Sequence, residues 1–135
     1  MKRGGSCEDI VDQCLRHAVI GEVCEPDLAV VGCGPGRLAR YMKHRPIRYI
    51  GTDLVPQLLA VAAQETGRQD CVFAVANGYN VPAPDNCADS ICLLGVFTNM
   101  HPESSARLLI DAARAAKSGS KLLITYFDIR HHAHY

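Results

Sequence analysis

The chain has no run of apolar residues long enough to span a membrane. Its first residues, Met1 to Ser6, lack the apolar core of a secretory signal. Both absences point to a cytoplasmic protein. Neither sign of charge is in excess, with 14 Lys and Arg against 14 Asp and Glu. No basic cluster breaks that balance, which speaks against a large nucleic-acid footprint. There is no CxxC pair and no Cys/His spacing of a zinc site, so no metal centre is expected. Repeats, linkers and low-complexity stretches are also missing. At 135 residues the chain is expected to be a single domain, 1–135. That length buries roughly two thirds of the unfolded surface, enough for a real core.

Cysteine, by contrast, is plentiful, at seven. Several cysteines fall inside apolar runs, where the residue behaves as a small hydrophobe. Reduced core thiols are therefore expected, in keeping with a reducing compartment. Three histidines, His131, His132 and His134, crowd the C-terminus. Without a rigid surround they read as a terminal tail (128–135) rather than a metal centre.

Between the ends, helical and extended patterns alternate. Ser6 and Asp9 form a capping-box-like start. Cys7, Ile10, Val11, Cys14, Leu15, Ala18 and Val19 then share one helical face. This N-terminal helix and its turn occupy 1–27, and a core follows over 28–127. Strands are expected at Leu28–Val31, Ile47–Ile50 running on to Asp53, Cys71–Val75, Ser90–Leu94 and Lys121–Phe127. A short helix follows the first strand and ends before Pro46. Another opens at Pro56 and closes at Gly67. The last opens at Pro102 and ends at Gly119, its apolar face being Ala106, Leu109, Ile110, Ala113 and Ala116. Strands that are apolar throughout and alternate with helices imply a parallel sheet covered on both faces. Right-handed crossovers put the strand C-termini along one edge, and a ligand is expected there beside the first strand.

That edge receives the most informative stretch, Val31-Gly32-Cys33-Gly34-Pro35-Gly36. A strand emptying into a glycine-rich turn and a helix makes a nucleotide-like cradle. Asp53 ends the second strand some 20 residues on, where a carboxylate can take a ribose diol. The dinucleotide fingerprint wants its third glycine at position 37, which is Arg37. Pro35 removes an N–H that a pyrophosphate would seek. The loop therefore favours an adenosyl ligand without phosphates.

Together these residues resemble the class I S-adenosylmethionine-dependent methyltransferases, in the group with the small ubiquinone-biosynthesis-type enzymes. The resemblance runs from about Leu28 to Tyr126. Val31 to Gly36 resembles the family's first motif and Tyr49-Ile50-Gly51-Thr52-Asp53 its second. Ala76-Asn77-Gly78 with Val81 to Asp89 resembles the third, and Lys117 to Lys121 the turn before strand five. The resemblance implies a Rossmann-like α/β fold, doubly wound, with about five parallel strands in the order 3-2-1-4-5. It implies S-adenosyl-L-methionine as cofactor, held by Gly32, Cys33, Gly34, Gly36, Asp53, Leu54, Asn77, Gly78 and Leu94. Asn77 stands where the family usually has an Asp on the adenine amino group. Val30 stands where it usually has Asp or Glu, near the methionine end. The family continues with two strands beyond the fifth, whereas this chain stops eight residues after Phe127.

The implied activity is methyl transfer to a small-molecule acceptor. The alternative is a non-catalytic adenosyl-binding module that needs a partner chain. Methyl transfer from a sulfonium needs alignment first, and a base only if the acceptor arrives protonated. The candidates are Asn99 and His101, just after strand four, with His101 able to act near neutral pH. His101 can equally be a plain helix-start residue before Pro102. Tyr126 can line the cleft or simply pack. If strand five is the last, Leu122 to Tyr126 is an apolar edge, expected to be covered by the tail, the N-terminal helix or a second copy in a homodimer.

Overall fold

The computed structural model describes residues 27–126. The expected N-terminal helix and the histidine tail lie outside the described residues. Five strands form one parallel sheet: β1 (Asp27–Val31), β2 (Arg48–Asp53), β3 (Cys71–Val75), β4 (Ala88–Leu93) and β5 (Ala116–Ile124). Their order is β3-β2-β1-β4-β5, the doubly wound arrangement expected. The helices are α1 (Arg37–Tyr41), α2 (Pro56–Thr66) and α3 (Pro102–Ala115), with a 3-10 turn at Phe97–Asn99.

Local chemistry accounts for most boundaries. Pro56 opens α2, where its missing N–H costs nothing. Gly67 closes it with φ 63°, and its amide donates to the Ala63 carbonyl at 3.1 Å. Alternate residues of the central strands feed two cores. On one face Val30, Tyr49 and Cys92 pack with Leu38, Ala39 and Met42 of α1 and its C-cap and with Leu59 of α2. On the other, Ala29, Val31, Ile91 and Leu93 pack under Leu108, Ala112 and Ala115 of α3. Here the β3–β4 connection supplies Val81 and Ala83 in place of a helix. Edge strand β3 is not apolar-buried throughout: Val72 is 55% exposed.

The end of the chain departs from expectation. The buried stripe of α3 is Leu108, Ala112 and Ala115, whereas Ile110, expected inside, is 73% exposed, and Ala106 and Ala113 also face out. Polar side chains turn the helix. Asp111 accepts from the Val81 amide at 2.6 Å, and Arg114 donates to the Val81 and Ala83 carbonyls, both at 2.9 Å. The helix also ends at Ala115, not Gly119. The amides of Asn86 and Cys87 take the carbonyls of Arg114 and Ala115 at 3.0 and 2.9 Å. Ala116 then pairs with Ala88, so β5 starts at once. The next pair is Ser90 with Lys121, so Lys117 to Ser120 bulge out of the ladder. Gly119, φ 76°, sits in that bulge, and Lys117 pins it by donating to Asp89 at 2.9 Å. Strand four begins two residues earlier than expected, at Ala88, for the same pairing. No helix among the described residues is long and apolar enough to cross a membrane.

Candidate functional site

The C-terminal ends of β1 to β4 meet around a cleft of about 530 Å³. The loop after β1 forms its base. Gly32 lies against the segment after β4: a Cβ there would meet Val96 Cγ2 at 2.8 Å. Gly36 lets α1 close on α2, since a Cβ would meet Ala62 Cβ at 2.9 Å. The Cys33 amide donates to the Thr52 carbonyl at 2.9 Å and ties the loop to β2. Its thiol turns away into the α1/α2 core, where burial, and then the charge of Asp53, push its pKa up to about 12. Cys33, Cys71 and Cys92 are free thiols.

Asp53 is set for hydrogen bonding from two sides. Its Oδ2 accepts from the Gly34 amide at 2.9 Å, and its Oδ1 from the Val55 amide at 3.0 Å. Each oxygen keeps a lone pair for a further donor, so the carboxylate can take two hydroxyls of a ligand. The Ala76 amide donates to the Asp53 carbonyl at 2.8 Å, which brings the end of β3 alongside.

Of the residues singled out in the sequence, Gly32, Asp53, Leu54, Asn77, Gly78, Leu94, Asn99 and His101 all line the one cleft. Gly34 reaches it through Asp53, whereas Cys33 and Gly36 support the loop from behind. His101 is also the N-cap of α3, its carbonyl accepting from the Ser105 amide at 3.0 Å and from Ser105 Oγ at 3.1 Å. His101 thus lines the cleft and starts the helix at once. Tyr126 is 74% exposed and lies outside the cleft lining. Val96, Ser104 and Leu108 line the cleft without having been singled out; only the fold brings them there. Val30 is 2% exposed, an apolar core residue of β1. A second cavity, of about 450 Å³, lies at the N-terminal ends of the strands beside Arg48, Asp70 and Lys117. It has neither the glycine loop nor Asp53, and ligands of such sheets bind at the carboxyl ends.

Known proteins share this fold. The demethylmenaquinone methyltransferase of Tropheryma whipplei is 28% identical over 111 residues, covering 82% of this chain and 45% of the relative. The chain thus spans about half the length of the curated relatives it matches. A TehB-like S-adenosylmethionine-dependent methyltransferase of Corynebacterium glutamicum superposes with a TM-score of 0.69 at 21% identity, over 84% of this chain and 60% of that one. A methyltransferase of Haloferax volcanii, solved with the Trm112 methyltransferase activator, gives 0.77 at 25% identity, over 94% of this chain and 58% of that one. Residues 29–124 match the Methyltransferase domain family, and the chain belongs to it, among the class I S-adenosylmethionine-dependent methyltransferases.

Proposed function

We propose that the cleft binds S-adenosylmethionine and that the chain directs its methyl group to a small-molecule acceptor. The observation that carries this is Asp53, which is held by the Gly34 and Val55 amides while both its oxygens keep acceptor capacity toward the cleft. The residues present fit an adenosyl ligand. Asp53 would take the ribose hydroxyls, Gly32 would floor the loop end, and Leu54, Asn77 and Gly78 would flank the base. The bound sulfonium supplies the reactive methyl group. The chain's own part is to hold the acceptor in line and exclude water. His101 and Asn99 sit on the cleft wall after β4, where His101 can accept a proton from an acidic acceptor and Asn99 can orient one. The Tropheryma relative is named for a demethylmenaquinone acceptor, so a reduced quinone analogue is the first to assay. We place the protein in the cytoplasm.

Calorimetric titration with S-adenosylmethionine tests the reading. Saturable binding is expected, weakened about tenfold or more by Asp53→Ala. No heat and no thermal shift at millimolar cofactor would overturn it.

One observation favours a second reading. Val30 is buried and apolar, so β1 offers no carboxylate toward the methionine end. In this reading the chain is an adenosyl-binding module completed by a partner, with β5 an edge strand among the described residues and its Leu122 half-exposed. The tail, the N-terminal helix or a second copy of the chain in a homodimer would cover that edge. Formation of S-adenosylhomocysteine by the purified chain with any acceptor counts against the non-catalytic reading, and a monomer in light scattering counts against the dimer.

A further inference from the structure

Beyond Asp53 the cleft is lined by Leu54, Asn77, Gly78 and Tyr79, with Leu54 close against Gly78. A nucleoside with its ribose on Asp53 lays its base there, one edge toward Asn77. This step rests on the reading just proposed. The Asn77 side chain is not free to turn over. Its Oδ1 accepts from the Tyr79 amide at 2.9 Å and the Asn80 amide at 3.0 Å. Both lone pairs are used, and an NH2 group in that place would set donors against donors. Its Nδ2 donates to Asn80 Oδ1 at 2.9 Å. That hydrogen bond sets Asn80 in turn, with its Oδ1 toward Asn77. The polarity of the Asn77 amide is thus fixed by the two backbone N–H groups that its oxygen accepts from. What remains on Asn77 is the second hydrogen of Nδ2.

We infer that Asn77 offers the base edge a hydrogen-bond donor, so the site does not select a purine by its 6-amino group. A 6-amino group is itself a donor and finds no acceptor on this side chain. A 6-oxo group is an acceptor and finds a partner, although its base carries a hydrogen on N1 that adenine lacks. For the 6-oxo base, the hydrogen bond from Asn77 offsets the cost of burying that extra hydrogen, and the two purines bind comparably. A carboxylate at this position would reverse the preference, accepting from the amino group and repelling the oxo group.

The test compares S-adenosylhomocysteine with its 6-oxo counterpart, S-inosylhomocysteine, by calorimetry. For the natural chain the two dissociation constants are expected to agree within about threefold. Asn77→Asp is expected to favour the adenosyl ligand by about tenfold or more, since a site built to hydrogen-bond a group rejects the analogue lacking it. An aspartate also faces Asn80 Oδ1, so the substitution is repeated in an Asn80→Ala background, where that clash is gone. A tenfold adenosyl preference in the natural chain overturns the inference. So does an unchanged ratio on Asn77→Asp in both backgrounds. In either case the cofactor reading stands. Failure of both ligands to bind overturns the cofactor reading and this inference with it.

Discussion

Two arginines fasten irregular backbone on opposite faces of the sheet. Arg68, just after α2, donates to the carbonyls of Met42, Arg45 and Ile47 at 3.0, 2.6 and 2.9 Å and pairs with Asp70. It clamps the turn between α1 and β2. Arg114, near the end of α3, donates to the carbonyls of Val81 and Ala83 and pairs with Asp85 and Asp111. It clamps the β3–β4 connection, which has no helix of its own. Each guanidinium satisfies carbonyls that no ladder reaches, with a planar fork suited to the task. The difference lies in what each clamped segment leads to. The Arg68 turn runs only to the start of β2. The Arg114 segment continues from Asn77 and Gly78 on the cleft wall. One clamp serves the fold alone, and the other serves the fold and the site.

Replacing each arginine by alanine is the sharpest test of that contrast. Arg68→Ala is expected to cost about 2 kcal/mol of stability in denaturant unfolding, because it removes several hydrogen bonds to turn carbonyls and the Asp70 pair at once. Cofactor affinity should stay within about twofold, as expected for a change far from the ligand. Arg114→Ala should lower the melting temperature less, as its guanidinium is the more exposed of the two. It should weaken cofactor binding by about tenfold through the slackened Asn77–Ala83 wall. Lysine at either position keeps the charge but loses the fork, and should restore less than half of the loss. Equal effects on binding from the two sites would break the comparison.

Acid sharpens it further. The Arg114 hydrogen bond, chiefly, holds the Asp111 carboxyl below its ordinary range, against some desolvation. The Arg68 hydrogen bond does the same for Asp70. A depressed carboxyl stabilises the fold above its unfolded value and loses that contribution as pH falls through its folded one. Both clamps therefore weaken below about pH 4. Only the Asp111 step should carry cofactor affinity down with it, because Asp111 also holds the Val81 amide, in the segment that continues from the cleft wall. Asp111→Asn should flatten the acid limb of the binding curve while Asp70→Asn leaves it in place. A binding curve indifferent to both substitutions would separate the wall from its clamp.

The arginines also mark where the sequence stopped being readable. The strand order is what the family resemblance implies, whereas the exact span of β3 and the limits of α2 follow from short-range signals: an apolar run, Pro56 and Gly67. The face of α3 does not. Hydrophobicity alone puts Ile110 inside, whereas Asp111 and Arg114 must meet a loop some 30 residues upstream and rotate the helix accordingly. Gly119 reads locally as a helix stop, but the pairing of Ala116 with Ala88 ends the helix first. The site divides in the same way. Gly32, Asp53 and Asn77 sit at strand ends and are found by spacing. Val96 against Gly32, and Ser104 and Leu108 in the cleft, come from elements joined only by folding. Cys33 is legible as a loop residue, though nothing local says its thiol turns inward.

The smallest expected effect concerns a polar atom that neither clamp reaches. Tyr49 is 1% exposed on the Arg68 face, its ring tilted against Phe73 with centroids 5.7 Å apart. Its hydroxyl has no hydrogen-bond partner among the described residues. Burial, with the nearby thiols Cys33, Cys92 and Cys71, pushes its pKa well above the ordinary tyrosine value, so the group stays neutral. A neutral hydroxyl without a partner has lost its water and regained nothing, while the ring still contributes its apolar area. Phenylalanine keeps the ring and removes the penalty. Tyr49→Phe should therefore raise stability by about 1 kcal/mol in denaturant unfolding and leave cofactor affinity unchanged. The same substitution made together with Arg68→Ala should add to it independently, since the guanidinium binds turn carbonyls and the ring binds the core. A loss of stability on Tyr49→Phe would mean that the hydroxyl is satisfied, and that the Arg68 face is held by a polar contact inside its core as well as by the clamp at its rim.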